Sequence, residues 1–206
     1  MKYQSLLICS ALSLSLLSCK NPADETTDAK VTEGKTVATN QDENAVTYVF
    51  ADSSTLKFIG SKVTGSQNGA FDTFTGSFKM INAKPVSGKV TIDMNSVSTE
   101  KAKLTGHLKN EDFFNVEKFP SSVFEATDFS KVDDTHYNLS GNLTMLGVTK
   151  NITFPTTVTK TDNALNVSAT FDINRQDWGI SYAGKADDLI RDEVVIMLNI
   201  SAVAEK

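Results

Sequence analysis

Apolar side chains recur at every second position in eight separate stretches of this 206-residue chain, and that period limits the fold more than any other feature. The stretches are 56–58, 74–80, 90–94, 124–126, 137–145, 152–158, 165–173 and 194–200. In an extended chain successive side chains point to opposite faces, so the pattern predicts antiparallel strands with one face buried. Between them lie short runs of turn formers, at 82–88, Asp133-Asp134, 146–149 and 161–163, which suit hairpins. Strands in up-and-down order close most economically into a barrel, because closure leaves no unpaired sheet edge. A two-sheet sandwich is the alternative.

One segment breaks the pattern. Residues 104–120 carry His107, Phe113, Phe114, Phe119 and a closing Pro120 among charged residues, so aromatic rings must be buried by a segment that is not a strand. It is predicted to cap the barrel, with a helical turn or two within 99–110. Neighbouring residues of an extended segment face opposite ways. One of Phe113 and Phe114 is therefore expected to close the barrel end as core and the other to line its interior. Gly60, Gly76 and Gly141 fall inside strand patterns and are read as barrel corners.

Residues 1–18 hold one early lysine, an apolar run too short to span a bilayer and then small residues, the pattern of a secretory signal. The run ends Leu16-Leu17-Ser18-Cys19, which resembles the lipobox of bacterial lipoproteins. That resemblance implies lipidation of Cys19 as the first residue of the mature chain; an ordinary signal peptide containing a cysteine is the alternative. Cys9 leaves with the signal, so no disulfide is expected. Residues 19–46 are small, polar and charged and are read as a disordered tether, leaving 47–206 as one domain. Lys20 stands where inner-membrane retention would ask for aspartate. A lipid-anchored place in a bacterial envelope is expected, at the outer membrane, on its periplasmic or surface face. A formal charge of −5 argues against nucleic acid as a partner.

The motifs Val90-Thr-Ile-Asp-Met-Asn-Ser-Val-Ser-Thr99, Gly106-His107-Leu108-Lys109, the run 112–120 with Phe124 after it, the stretch 137–149, Ile173-Asn-Arg-x-Asp-Trp-Gly179 and Asp192-Glu-Val194 follow in an order and spacing that resemble the YceI family over residues 47–203. The resemblance implies an all-β, lipocalin-like eight-stranded antiparallel barrel with a short helical or loop cap. It also implies an elongated apolar cavity for a polyisoprenoid or another long-chain amphiphile. Strands of eight or nine residues make a barrel roughly 25–30 Å tall, a height suited to an extended chain. Two departures stand out. The family's Arg-Asp pair ahead of the His-Leu of the cap is Leu104-Thr105 here, and its Phe-x-Val-Lys-His pattern is Phe58-Ile-Gly-Ser-Lys62, so a less polar entrance is expected.

The expected cavity wall comprises Phe58, Phe74, Phe78, Phe113, Phe114, Phe124, Leu139, Leu143, Phe154 and Trp178. His107 and Arg175 are candidate head-group contacts, with pairing of Arg175 to Asp177 or Asp172 as the structural alternative. His107 lies near Glu111 and Asp112, as a general base could. No nucleophile elbow and no thiol beyond Cys19 accompany it, and His136 stands apart in a turn, so neither catalysis nor metal ligation is expected. The reading is an envelope lipoprotein with no cofactor other than a bound isoprenoid or related lipid, acting in storage, transport or stress protection, with a homodimer left open. A ligand-free structural or stress-response interaction module with a solid core is the alternative. A hydrolase centred on His107 ranks third.

Overall fold

The structure, a computed structural model, describes residues 20–37, 44–82, 84–161 and 164–205. Its strands are β1 (Lys30–Glu33), β2 (Val46–Phe50), β3 (Thr55–Lys62), β4 (Gly65–Phe71), β5 (Phe74–Ile81), β6 (Lys84–Asp93), β7 (Val97–Thr99), β8 (Ser121–Lys131), β9 (His136–Met145), β10 (Val148–Lys160), β11 (Ala164–Asn174), β12 (Gly184–Lys185) and β13 (Asp188–Ala204). The helix α1 spans Ala102–Lys109.

These strands make eight staves. β2 and β3 form one bent stave along β13, with Phe50 opposite Ala202 and Phe58 opposite Ile196. β4 runs on into β5 across Asp72 and Thr73, β4 pairing with β3 and β5 with β2. Then β6, β8, β9, β10, β11 and β13 follow in chain order, each antiparallel to the one before, and β13 returns to the first stave. The alternation thus builds a closed up-and-down barrel, and the sandwich is excluded. Leu146 and Gly147, at φ 53° and 77°, make the tight left-handed turn between β9 and β10.

The corner reading of the strand glycines is corrected at Gly141. A Cβ there would lie 2.2 Å from Cζ of Phe124, so the missing side chain makes room for an aromatic ring folded across the backbone. Gly76 is similarly covered, by Phe50 and the carbonyl of Lys89.

A seam runs between β10 and β11. The two strands pair only over Thr157–Lys160 and Leu165–Ser168 and then diverge. The amino-terminal segment fills the gap, with β1 pairing along Lys150–Thr153 of β10 and Asp28 bridging to Asp172 of β11. Asn21 caps a 3-10 turn at Pro22–Glu25, Thr26 donates a 2.6 Å hydrogen bond to Asp172, and Ala23 and Ala29 are buried. Farther on, the backbone of Lys35 exchanges two hydrogen bonds with the side chain of Asn142. The expectation of a disordered tether is therefore overturned for residues 20–37. The splayed strands leave backbone groups unpaired, and a polar segment without a core of its own can satisfy them. Cys19 and the signal segment 1–18 lie outside the described residues.

Candidate ligand-binding cavity

The inward-facing side chains pack as two clusters. One, toward the cap, includes Met94, Leu108, Phe113, Ile152, Phe154, Phe171 and Trp178; the other, at the far end, includes Tyr48, Phe78, Met80, Leu165 and Val167. Between them is a cavity of about 130 Å³. Phe74 and Phe78 of β5, Phe124 of β8, Leu139 and Leu143 of β9 and Phe154 of β10 line it, as the alternation predicts. Phe154 and Phe171 stack with ring centroids 4.0 Å apart and form a flat aromatic wall.

Four expected wall residues lie elsewhere. Phe58 is buried over Gly69 and against Phe71, so Phe71 and not Phe58 borders the cavity. Trp178 is 1% exposed and donates its indole N–H to the carbonyl of Leu143 at 3.0 Å, which plugs the barrel end. Phe113 packs edge-on to His107 and beside Tyr182, and Phe114 packs on Phe71. Both cap phenylalanines are thus core, and the expectation that one would line the cavity is not met. A tight turn at Asn110–Asn115, with Asn115 at φ 43°, removes the extended geometry on which that expectation rested.

The cap is joined to the barrel by continuous apolar packing. Leu108, Phe113 and Val116 belong to the same cluster as Met94 and Trp178, and Pro120 accepts from the amide of Met94. Thr105, at the place of the family's charged pair, bonds the hydroxyl of Thr99 at 2.9 Å. His107 shares a 2.9 Å hydrogen bond with Asp112 on the outer side of the cap.

Arg175 is the clearest departure from a head-group role. It is 4% exposed and donates to the carbonyls of Arg191 and Ile180 and to the carboxylate of Asp192, at 3.1, 2.7 and 3.0 Å. Its donors are committed to holding the turn after β11 against β13. The partner is Asp192, not Asp177 or Asp172. Asp172 instead faces the amino-terminal segment, and burial pushes its carboxyl above the ordinary carboxylate range, against the pull of the Thr26 hydroxyl and with the push of Asp28.

The expected wall, mostly aromatic, left out Met94, Met145, Ile152, Ile196 and Ser122. For Met145, Ile152, Ile196 and Ser122 the signal was there: each sits two positions from a wall residue on its strand and so faces the same way.

A closed antiparallel barrel with an apolar interior and a packed cap is the architecture of the lipocalin-like binding proteins. Residues 48–202 match the YceI-like domain, and the chain belongs to that family. Among solved structures it resembles BcnA of Burkholderia cenocepacia, at TM-score 0.70 and 22% identity over 75% of this chain and 99% of that one. It also resembles a polyisoprenoid-binding domain from Saccharophagus degradans implicated in plant cell wall breakdown, at TM-score 0.65 and 19% identity over 77% and 98%. A YceI protein of Campylobacter jejuni is 26% identical, at TM-score 0.54, over 67% of this chain and 84% of that one. A UPF0312 protein of Yersinia pestis is 41% identical over 97 residues, 46% of this chain and 50% of the relative. The chain spans about half the length of the curated relatives it matches.

Proposed function

We propose that the barrel holds a long-chain amphiphile, a polyisoprenoid or a related lipid, by burial of apolar surface and without covalent chemistry. The observation that carries this reading is an interior cavity walled almost wholly by apolar side chains inside a fold shared with a polyisoprenoid-binding domain. At about 130 Å³ the cavity is near the roughly 150 Å³ that accommodates benzene in an engineered core, so a chain of several isoprene units requires wall side chains to rotate. Phe78, Leu139 and Val167 separate it from a much smaller chamber near Thr156, and Met94 and Met145 are flexible gap-fillers.

The anchor belongs to the same proposal. With Cys19 lipidated, Lys20 alone separates the acyl chains from Asn21, which is buried on the barrel wall. The barrel is then seated at the envelope membrane surface and is not suspended tens of ångströms above it. Radiolabelled palmitate should enter the wild type and not Cys19→Ser, and equal labelling of both rejects the anchor.

Native mass spectrometry of protein purified from its own envelope should show an added lipid mass. Long-chain isoprenoid should also raise the melting temperature, since a ligand that binds only the folded state stabilises it. The small cavity favours one competing reading, a ligand-free structural module; repeated recovery of empty protein with no thermal shift would establish that instead.

A further inference from the structure

The cavity wall carries one chemical anomaly. Among the described residues that line it, Ser122 is the only one with a polar side chain; it is 3% exposed, and its hydroxyl has no hydrogen-bond partner and lies behind the apolar surface of the empty cavity. The position is set by the strand period. Ser122 shares the inward face of β8 with Phe124 and Ala126, and it stands opposite Ile92 of β6. It lies at the cap end, one residue beyond the start of β8, where Pro120 is tied to Met94.

A buried hydroxyl without a partner costs on the order of 1–3 kcal/mol, so the position is unfavourable in an empty barrel. Water is a poor remedy, because a buried water needs two to four polar partners and the side chains of this wall offer one. Thr156 is the contrasting case. Its unpaired hydroxyl borders the separate chamber of about 10 Å³, close to the size of a single water.

We propose that Ser122 is the polar anchor of the cavity: as the wall side chains give way to the ligand, its hydroxyl turns about χ1 into the barrel and hydrogen-bonds an oxygen function that the ligand carries. This rests on the lipid-binding reading and narrows its ligand class. A single neutral hydroxyl satisfies an alcohol, a carbonyl or an amide. It cannot offset the desolvation of a phosphate or carboxylate, and among the described residues no cationic side chain lines the cavity to help. The ligand is therefore a neutral oxygenated lipid, its oxygen at the cap end beside Met94 and Ile92 and its chain running toward Phe78.

Farnesol, the matching hydrocarbon farnesene and farnesyl monophosphate test this on lipid-stripped protein, with dissociation constants from quenching of Trp178 fluorescence and with melting curves. Wild type should bind farnesol about five- to tenfold more tightly than farnesene, and farnesyl monophosphate more weakly than farnesol. Ser122→Ala should lower the farnesol preference about five- to tenfold while leaving farnesene affinity unchanged and the unliganded melting temperature unchanged or raised. Thr156→Val should leave the preference as in wild type. An undiminished farnesol preference in Ser122→Ala, a lowered melting temperature of that unliganded variant, or tighter binding of the phosphate overturns the anchor while lipid binding stands. Failure of wild type to bind any of the three overturns both.

Discussion

The hydroxyl of Thr26 reaches the carboxylate of Asp172 at 2.6 Å, joining the amino-terminal segment to a barrel strand 146 residues later in the chain. Asp172 is 3% exposed and sits under that segment with Asp28 beside it. The contact couples the docking of residues 20–37 to the ionisation of one buried carboxyl.

Because burial raises the Asp172 pKa in the folded protein, the folded state holds this proton at pH values where the unfolded chain has released it. The stability due to this group is fully present below the ordinary carboxylate value, roughly 3.9, and is lost as pH rises through the raised folded value. Asp172→Asn should remove that loss. The difference in melting temperature between variant and wild type is expected to grow in the variant's favour from pH 4 to pH 7, with amide exchange in residues 26–33 following it. A constant difference across that range would refute the linkage.

Asp133 titrates with the opposite sign. In the turn between β8 and β9 its carboxylate accepts from the amides of Thr135 and His136, at 2.9 and 2.8 Å, and from the His136 ring. These bonds, the Thr135 amide foremost, lower its pKa from 3.8 to about 2. The turn is stabilised above pH 4 and loses that contribution as pH falls toward 2. Asp133→Ala should flatten the acid limb of the stability curve followed by circular dichroism.

Arg175→Met should cost about 2–4 kcal/mol in chemical denaturation, because it leaves the carbonyls of Ile180 and Arg191 without their donors in a buried turn. Asp192→Asn should cost less than about 1 kcal/mol, since that carboxylate is 38% exposed and its charge is screened. Ligand affinity per folded molecule should be unchanged in both, which separates a structural arginine from a head-group arginine.

Gly141→Ala places a methyl where the Phe124 ring lies and within 2.8 Å of the Glu125 carbonyl. A loss of about 1–3 kcal/mol is expected, with the ring displaced into the cavity and lipid uptake reduced. Gly60→Ala meets nothing within 4 Å and should stabilise by about 0.5–1 kcal/mol through the entropy of the unfolded chain. Equal effects at the two sites would contradict the close approach at Gly141.

The site was half legible in the primary structure. Phe74, Phe78, Phe124, Leu139, Leu143 and Phe154 could be placed on the inner wall because strand parity alone decides which face a residue takes. Parity fails in the cap, where Phe113 and Phe114 leave the extended conformation, and at Trp178, which follows β11 in a 3-10 turn. β4, read as Gly-Ser-Gln-Asn-Gly-Ala-Phe, has no alternation and becomes a strand because β3 offers it a partner.

The amino-acid sequence by itself determined eight strand stretches, their inward face and a non-strand cap, since these follow from local period and turn chemistry, and strand pairing then closed them into a barrel and not a sandwich. Tertiary structure alone decided three things. Arg175 is spent on the carbonyls of Ile180 and Arg191 and on Asp192, residues 30–33 pair with β10, and Ser122 is left unpaired in the cavity. Each depends on which distant groups meet after closure, and hydrogen bonds between residues far apart in the chain leave no period in the sequence.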